Sequence, residues 1–138
     1  MKDKIFTFKV YFEEKVYRVI EIPGEKSLYD LAEAIVKAFG FNFDHAFGFY
    51  NNIENLYESD EVYELFVDMG QSEPGKKGVK DEDVCDVFEL HKQMIFLFDY
   101  GDDWMFLVEC KAISDRVSKV RYPKVAQKVG KAPEQYPE

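Results

Sequence analysis

The sequence is short of the residues that cross-link small folds or do redox work. Its 2 cysteines, Cys85 and Cys110, show no CxxC and no Cys/His ligand spacing, which excludes a disulfide framework and a zinc ribbon. Reduced, partly buried thiols are the expectation. Histidine is equally scarce, with His45 and His91 alone, so little imidazole chemistry is on offer. No apolar run nears the roughly 18 residues a membrane helix needs. Charges interrupt the opening MKDKIFTFKVYF, which therefore reads as a strand and not as a secretory signal. A cytoplasmic location follows as an expectation. Glycine-rich phosphate loops, GxSxG elbows, Walker motifs and zinc spacings are missing too. The sequence thus calls for no cofactor and assigns no catalytic residue.

Aromatic rings are plentiful: 13 Phe, 9 Tyr and 1 Trp, or 17% of 138 residues. Rings dominate core energetics and favour strands, so a sheet with an aromatic face is expected. A chain of this length fits one domain with one core. Phe6, Phe8, Val10 and Phe12 alternate with Thr7, Lys9 and Tyr11, the period of a half-buried strand. A polar Glu13-Glu14-Lys15 turn leads to a second strand, Val16 to Ile22, stopped by Pro23-Gly24. So short a connection predicts an antiparallel hairpin. Ser27 and Asp30 then form a capping box for a helix whose apolar stripe is Leu28, Leu31, Ala32, Ile35 and Phe39, ended by Gly40.

Further strands are predicted over 45–50, 62–67, 94–98 and 104–113, with a helical turn through Val84, Val87, Phe88 and His91. The class is α+β: a mixed, mainly antiparallel sheet with an N-terminal hairpin and one main helix packed on it, a β-grasp-like start. Residues 70–83, rich in glycine and charge, are predicted as a mobile loop. From Pro123 to residue 138, prolines and charge predict an extended tail with little to pack.

Net charge is −9, from 18 basic and 27 acidic residues, and it is unevenly spread. Arg116, Lys119, Arg121, Lys124, Lys128 and Lys131 fall in a stretch with no acid, and removing them leaves 12 basic residues against 27 acidic. A phosphate backbone is repelled by such a body, so nucleic acid is disfavoured as a partner except through this 116–131 segment. The alternative is that the segment lies against its own acidic body.

The densest polar cluster is Asp99, Asp102 and Asp103 in the run DYGDD. Three carboxylates on a tight turn could ligate Mg²⁺ or Ca²⁺, although the spacing is not that of an EF-hand. Asp and Gly are also what a chain reversal uses without any metal. His45 could reach this turn across the sheet; a direct Asp44–His45 dyad is not expected, since neighbours on a strand point to opposite faces. Trp104, at the head of a long strand, could stack a ring but reads as core.

Several stretches carry a family resemblance. Leu28-Tyr29-Asp30-Leu31, then Ile35 and Phe39-Gly40-Phe41, then Asp44-His45-Ala46-Phe47-Gly48-Phe49 follow one recurring pattern. Phe98 to Trp104 resembles a YDFGDDW signature, and Arg121-Tyr122-Pro123 a Tyr-Pro tail. Together they are similar to the plasmid pRiA4b ORF-3-like proteins, some of them described as passengers of transposable elements. The resemblance spans most of the chain and implies one α+β domain over residues 1–138 without implying an activity. The chain departs from the pattern at Phe106, at Ala32 and at Gly130 to Pro133, where the family often carries His, His and Cys-Pro-Pro. A metal or catalytic site built on those residues elsewhere would be largely lost here.

The leading expectation is therefore a non-catalytic interaction module with an unknown protein partner, a monomer or weak dimer with no membrane contact. Its contact surface would be the DYGDD turn with the His45 edge, plus the basic segment. The alternatives are a metal-dependent phosphoester enzyme at the turn and an accessory factor of a mobile element.

Overall fold

Phe6, Phe8 and Val10 are fully buried on one side of the first strand, and this inward face sets the layout of the molecule. The computed structural model describes residues 1–71 and 73–137; Ser72, inside the predicted loop, and Glu138, at the end of the predicted tail, lie outside the described residues. Strand β1 (Ile5–Glu13) pairs antiparallel with β2 (Val16–Pro23), forming the predicted hairpin. Helix α1 (Leu28–Ala38) follows. Ser27 Oγ accepts the Asp30 N–H and the Asp30 carboxylate accepts the Ser27 N–H, each at 3.1 Å, so two of the helix's orphan donors are satisfied.

The remaining elements are β3 (Phe47–Tyr50), β4 (Val62–Glu64), α2 (Leu65–Asp68), β5 (Lys76–Lys77), α3 (Val84–Val87), β6 (Gln93–Phe98), β7 (Trp104–Ser114) and β8 (Lys124–Val129). All eight strands form one sheet in the order β5-β4-β3-β6-β7-β1-β2-β8. Every pairing is antiparallel except β4 with β5. The fold is α+β on a mostly antiparallel sheet. Nothing in the strand order carries the β-grasp likeness beyond the opening hairpin and helix.

Alternation along the strands sorts the rings. Phe8, Phe47, Phe49, Phe96, Phe98 and Phe106 pack with α1 in the main core. Tyr50, Leu56, Val62 and Leu97 form a smaller cluster.

Three boundaries differ from the sequence reading. The strand expected over 62–67 stops at Glu64 and turns into α2. The turn brings Phe66 to the Tyr100 ring at 4.9 Å and Asp68 beneath the 79–80 backbone, where its carboxylate accepts the N–H groups of Val79 (2.7 Å) and Lys80 (3.2 Å). Within the 70–83 segment, β5 joins the sheet and Val79 is fully buried. The segment from Pro123, expected to have little to pack, supplies the edge strand β8 against β2. Its Gln135 is buried, accepting the Asn42 N–H (2.7 Å) and donating to the Asn42 carbonyl (3.1 Å). Proline content hid the strand: Pro123 and Pro133 bracket it without entering it.

Candidate functional site

The reversal between β6 and β7 consumes Asp99. Its backbone is left-handed (φ 68), as is that of Asp103 (φ 54), a conformation Asp tolerates better than most side chains. Asp99 Oδ1 accepts the N–H groups of Gly101 (3.0 Å) and Asp102 (3.3 Å), and the Asp99 N–H donates to the Ala46 carbonyl (2.9 Å). Asp102 and Asp103 are exposed. Among the described residues these three carboxylates do not converge as a ligand set; the group that does is Asp83, Cys85 and Asp86, whose ligating atoms lie within 4.8 Å of one another. Lys2 occupies one Asp83 oxygen at 3.1 Å, and burial with the flanking Asp86 and Asp83 pushes the Cys85 thiol pKa up.

His45 does meet the turn. Its Nε2 lies 3.3 Å from Asp99 Oδ2, 3.6 Å from Asp44 Oδ1 and 2.8 Å from the Tyr136 hydroxyl. The argument against an Asp44–His45 pairing is corrected here. It assumed that both residues sit on a strand, whereas β3 begins at Phe47 and both precede it in irregular backbone. Tyr136 donates to Asp44 Oδ2 at 2.7 Å, and this bond pushes the phenol up to about 12. With its hydrogen directed at Asp44, the Tyr136 hydroxyl can accept from His45 Nε2–H. An open groove of ≈ 360 Å³ adjoins, lined by Tyr29, Phe43, Phe47, Leu65 and Met69 together with His45. Tyr136 thus hydrogen-bonds both Asp44 and His45, and His45 stands at ion-pair distance from Asp99, which brings the C-terminal segment beside the DYGDD turn. Asp99 is almost fully buried while His45 and Asp44 are about 40% exposed.

Trp104 is not part of that group. Its ring packs edge-on against Phe41 at 5.0 Å and near Phe12 at 5.9 Å, half-buried in the core. Its indole Nε1–H is buried without a partner among the described residues.

Two arrangements escaped the sequence reading. In the first, the Tyr50 hydroxyl donates to buried Glu64 and shares a 2.7 Å bond with the Tyr100 hydroxyl, while Lys76 closes on Glu64 at 3.1 Å. Burial drives both phenol pKa values far up, so the tyrosines remain neutral donors. The second is Arg18, 5% exposed, whose guanidinium donates to the carbonyls of Ala38 (3.0 Å), Tyr17 (2.9 Å), Val129 (3.0 Å) and Gly130 (3.1 Å). It has no carboxylate at ion-pair distance among the described residues, and desolvation lowers its pKa.

The basic segment stands mostly free. Arg116 reaches Glu25 at 3.4 Å and lies over the Tyr122 ring at 5.4 Å. Lys119, Arg121, Lys124, Lys128 and Lys131 are exposed, and none makes an ion pair among the described residues. Among the described residues a close ion pair to the acidic body is made by Arg116, while the 124–129 stretch does lie along that body, paired with β2 and with Lys124 opposite Glu21.

The model of the plasmid pRiA4b ORF-3-like proteins matches residues 4–136, from the first strand to the tyrosine that caps His45. The chain belongs to this family. A comparison with curated proteins found no match. Among solved structures, the pRiA4b ORF-3-like chain is similar to a protein of unknown function from Methanosarcina mazei Go1, at 20% identity and a TM-score of 0.76, covering 96% of this chain and 73% of that one. At that identity the likeness speaks for the fold. Among the described residues of this family member, no helix is long and apolar enough to cross a membrane.

Proposed function

We propose that the protein is a non-catalytic interaction module that holds an acidic protein partner through its basic 116–131 segment. The carrying observation is the set of five exposed cations that make no ion pair among the described residues, on a chain whose other residues are strongly acidic. Evenly mixed charge would have paired them locally. Unpaired charge of one sign steers an oppositely charged partner and speeds encounter. The DYGDD turn supports this reading indirectly, since Asp99 is occupied by its own backbone and by His45 and is not held open for a substrate.

Reversing Lys119, Arg121 and Lys128 to Glu tests the proposal. Cross-linking in native cells should return a reproducible acidic protein with the wild type and lose it with the variant. Retention of the same partner by the variant would overturn the reading. Nucleic acid, the accessory-factor alternative, would use the same cations; binding of an oligonucleotide at low salt, where the electrostatic contribution is largest, would favour it.

One observation favours a second reading, a metal-dependent or acid–base enzyme. His45 Nε2 stands near the carboxylates of Asp99 and Asp44, with an open groove beside the ring. Titration with Mg²⁺, Mn²⁺ and Ca²⁺ tests the metal form, because a bound ion stabilises the fold by mass action. A melting shift lost in Asp99→Asn would support it; no heat and no shift at millimolar metal would end it.

A further inference from the structure

The eight-stranded sheet ends at β8, and nothing among the described residues pairs its outer edge. An edge strand presents alternate N–H and C=O groups outward, a template for one more strand. At the opposite end β5 has two residues, whereas β8 has six, about 20 Å of backbone at 3.3 Å per residue. All of β8 except Val129 is exposed.

Beside this edge lies a groove of ≈ 360 Å³ between α1 and β8. Ile20, Ala34 and Val125 give it apolar walls, and Lys26, Lys37 and Lys124 stand around them. Its two carboxylates are already engaged: Asp30 accepts the Ser27 N–H, and Glu33 pairs with Lys37 at 3.5 Å. Val125 sits opposite Ile20 in the β2–β8 register, so both face the helix side. A strand added outside β8 would direct every second side chain into the same space.

We infer that β8 and this groove accept an extended acidic segment of a partner protein as a ninth strand, with an apolar side chain lodged between Ala34 and Val125. This rests on the interaction reading above and specifies how the partner is held. Charge selects the occupant. Lys124 and Lys128 lie on the strand itself, and Lys119 and Arg121 just before it. A second copy pairing through β8 would bring these cations against their own kind, the arrangement by which natural edges repel self-association. Carboxylates on an incoming strand meet them favourably. Main-chain bonds would supply affinity, and the groove specificity, the division of labour seen wherever a peptide extends a sheet.

A random-peptide display library selected against the full chain tests this, with affinities of enriched peptides measured by fluorescence polarisation. Enrichment should give extended peptides alternating apolar residues with Asp or Glu. Ala34→Arg, which fills the groove from a half-buried position on α1, should weaken them by about tenfold or more. On the wild type, amide hydrogen exchange should slow at alternate residues of β8 when such a peptide binds, a readout independent of any variant's folding. Acidic peptides that bind, fail with Lys119→Glu/Arg121→Glu/Lys128→Glu, yet leave β8 exchange and the Ala34→Arg affinity unchanged would overturn strand addition and leave the acidic-partner reading standing. Enrichment without acidic residues, or no enrichment, overturns both.

Discussion

Asp99 joins two parts of the molecule through one carboxylate: it caps two turn amides with Oδ1 and faces His45 with Oδ2. Asp99→Ala should destabilise the fold by about 1–3 kcal/mol, since two amides in a partly buried turn lose their acceptor and a left-handed position receives a less tolerant residue. Asp99→Asn keeps the amide acceptor and the backbone tolerance, so its loss should be smaller. Chemical denaturation of the pair measures both, and equal losses would show that the turn amides do not matter. Arg18 is the other demanding residue. Its charge is buried against carbonyls and the face of Phe39 (4.8 Å), with one of the carbonyls on the last residue of α1, where the helix dipole is negative. Arg18→Met should therefore destabilise by on the order of 3 kcal/mol, because several carbonyls lose their donor at once; a loss below 1 kcal/mol would mean that water replaces it. Cys110 adds a pH dependence. Burial pushes its thiol from the ordinary 9.0 up to about 11. A raised folded-state pKa leaves stability intact below pH 9 and removes it as pH climbs toward 11, since the unfolded chain ionises first. Denaturation from pH 8 to 11 should show that decline, and Cys110→Ala, though weaker at neutral pH, should decline less steeply across the same window.

Elements differ in how far the residues alone disclose them. The first hairpin and α1 were legible because their signals are local: two-residue alternation, a Pro-Gly stop, a capping box and an apolar stripe all fall inside the element. The β6–β7 pair was legible for the same reason, down to the turn. Leu65 to Asp68 was not, because what bends it into a helix lies elsewhere in sequence, in Tyr100 and in the amides of Val79 and Lys80. β8 was hidden for a related reason. Lys124, Gln127 and Lys128 carry no apolar face, so the strand owes its existence to β2 and to Arg18, which holds the carbonyls of Val129 and Gly130. Gly130 shows how tight that junction is: its φ is +80, and a Cβ there would lie 2.3 Å from the Lys15 carbonyl oxygen. The candidate site was legible only in its parts. DYGDD and His45 could be named, but Tyr136, which orients the imidazole, is 91 residues from it in sequence, and no periodicity links such distant positions.

On the scale of the whole molecule, the C-terminal segment is both the charged surface and a structural strap. β8 covers the free edge of β2, Gln135 holds the Asn42 backbone, and Tyr136 holds Asp44 and His45. A chain ending at Tyr122 would lose all three contacts and two of the four carbonyls around Arg18. It would also bare β2, where Tyr17 and Val19 alternate with Arg18 and Ile20 and no lysine stands like those that guard β8. A long unguarded edge is a template for association. The truncated protein should therefore melt at least about 10 °C lower, as a loss of several kcal/mol requires in a domain of this size, and elute from size exclusion as oligomers. The full chain with Lys124→Gln and Lys128→Gln separates the two effects. It keeps the strap and removes two guarding charges, so its melting temperature should stay near that of the wild type while self-association rises. Should the truncated chain instead remain monomeric with an unchanged melting temperature, β8 would be an appendage and the sheet would be complete at β2.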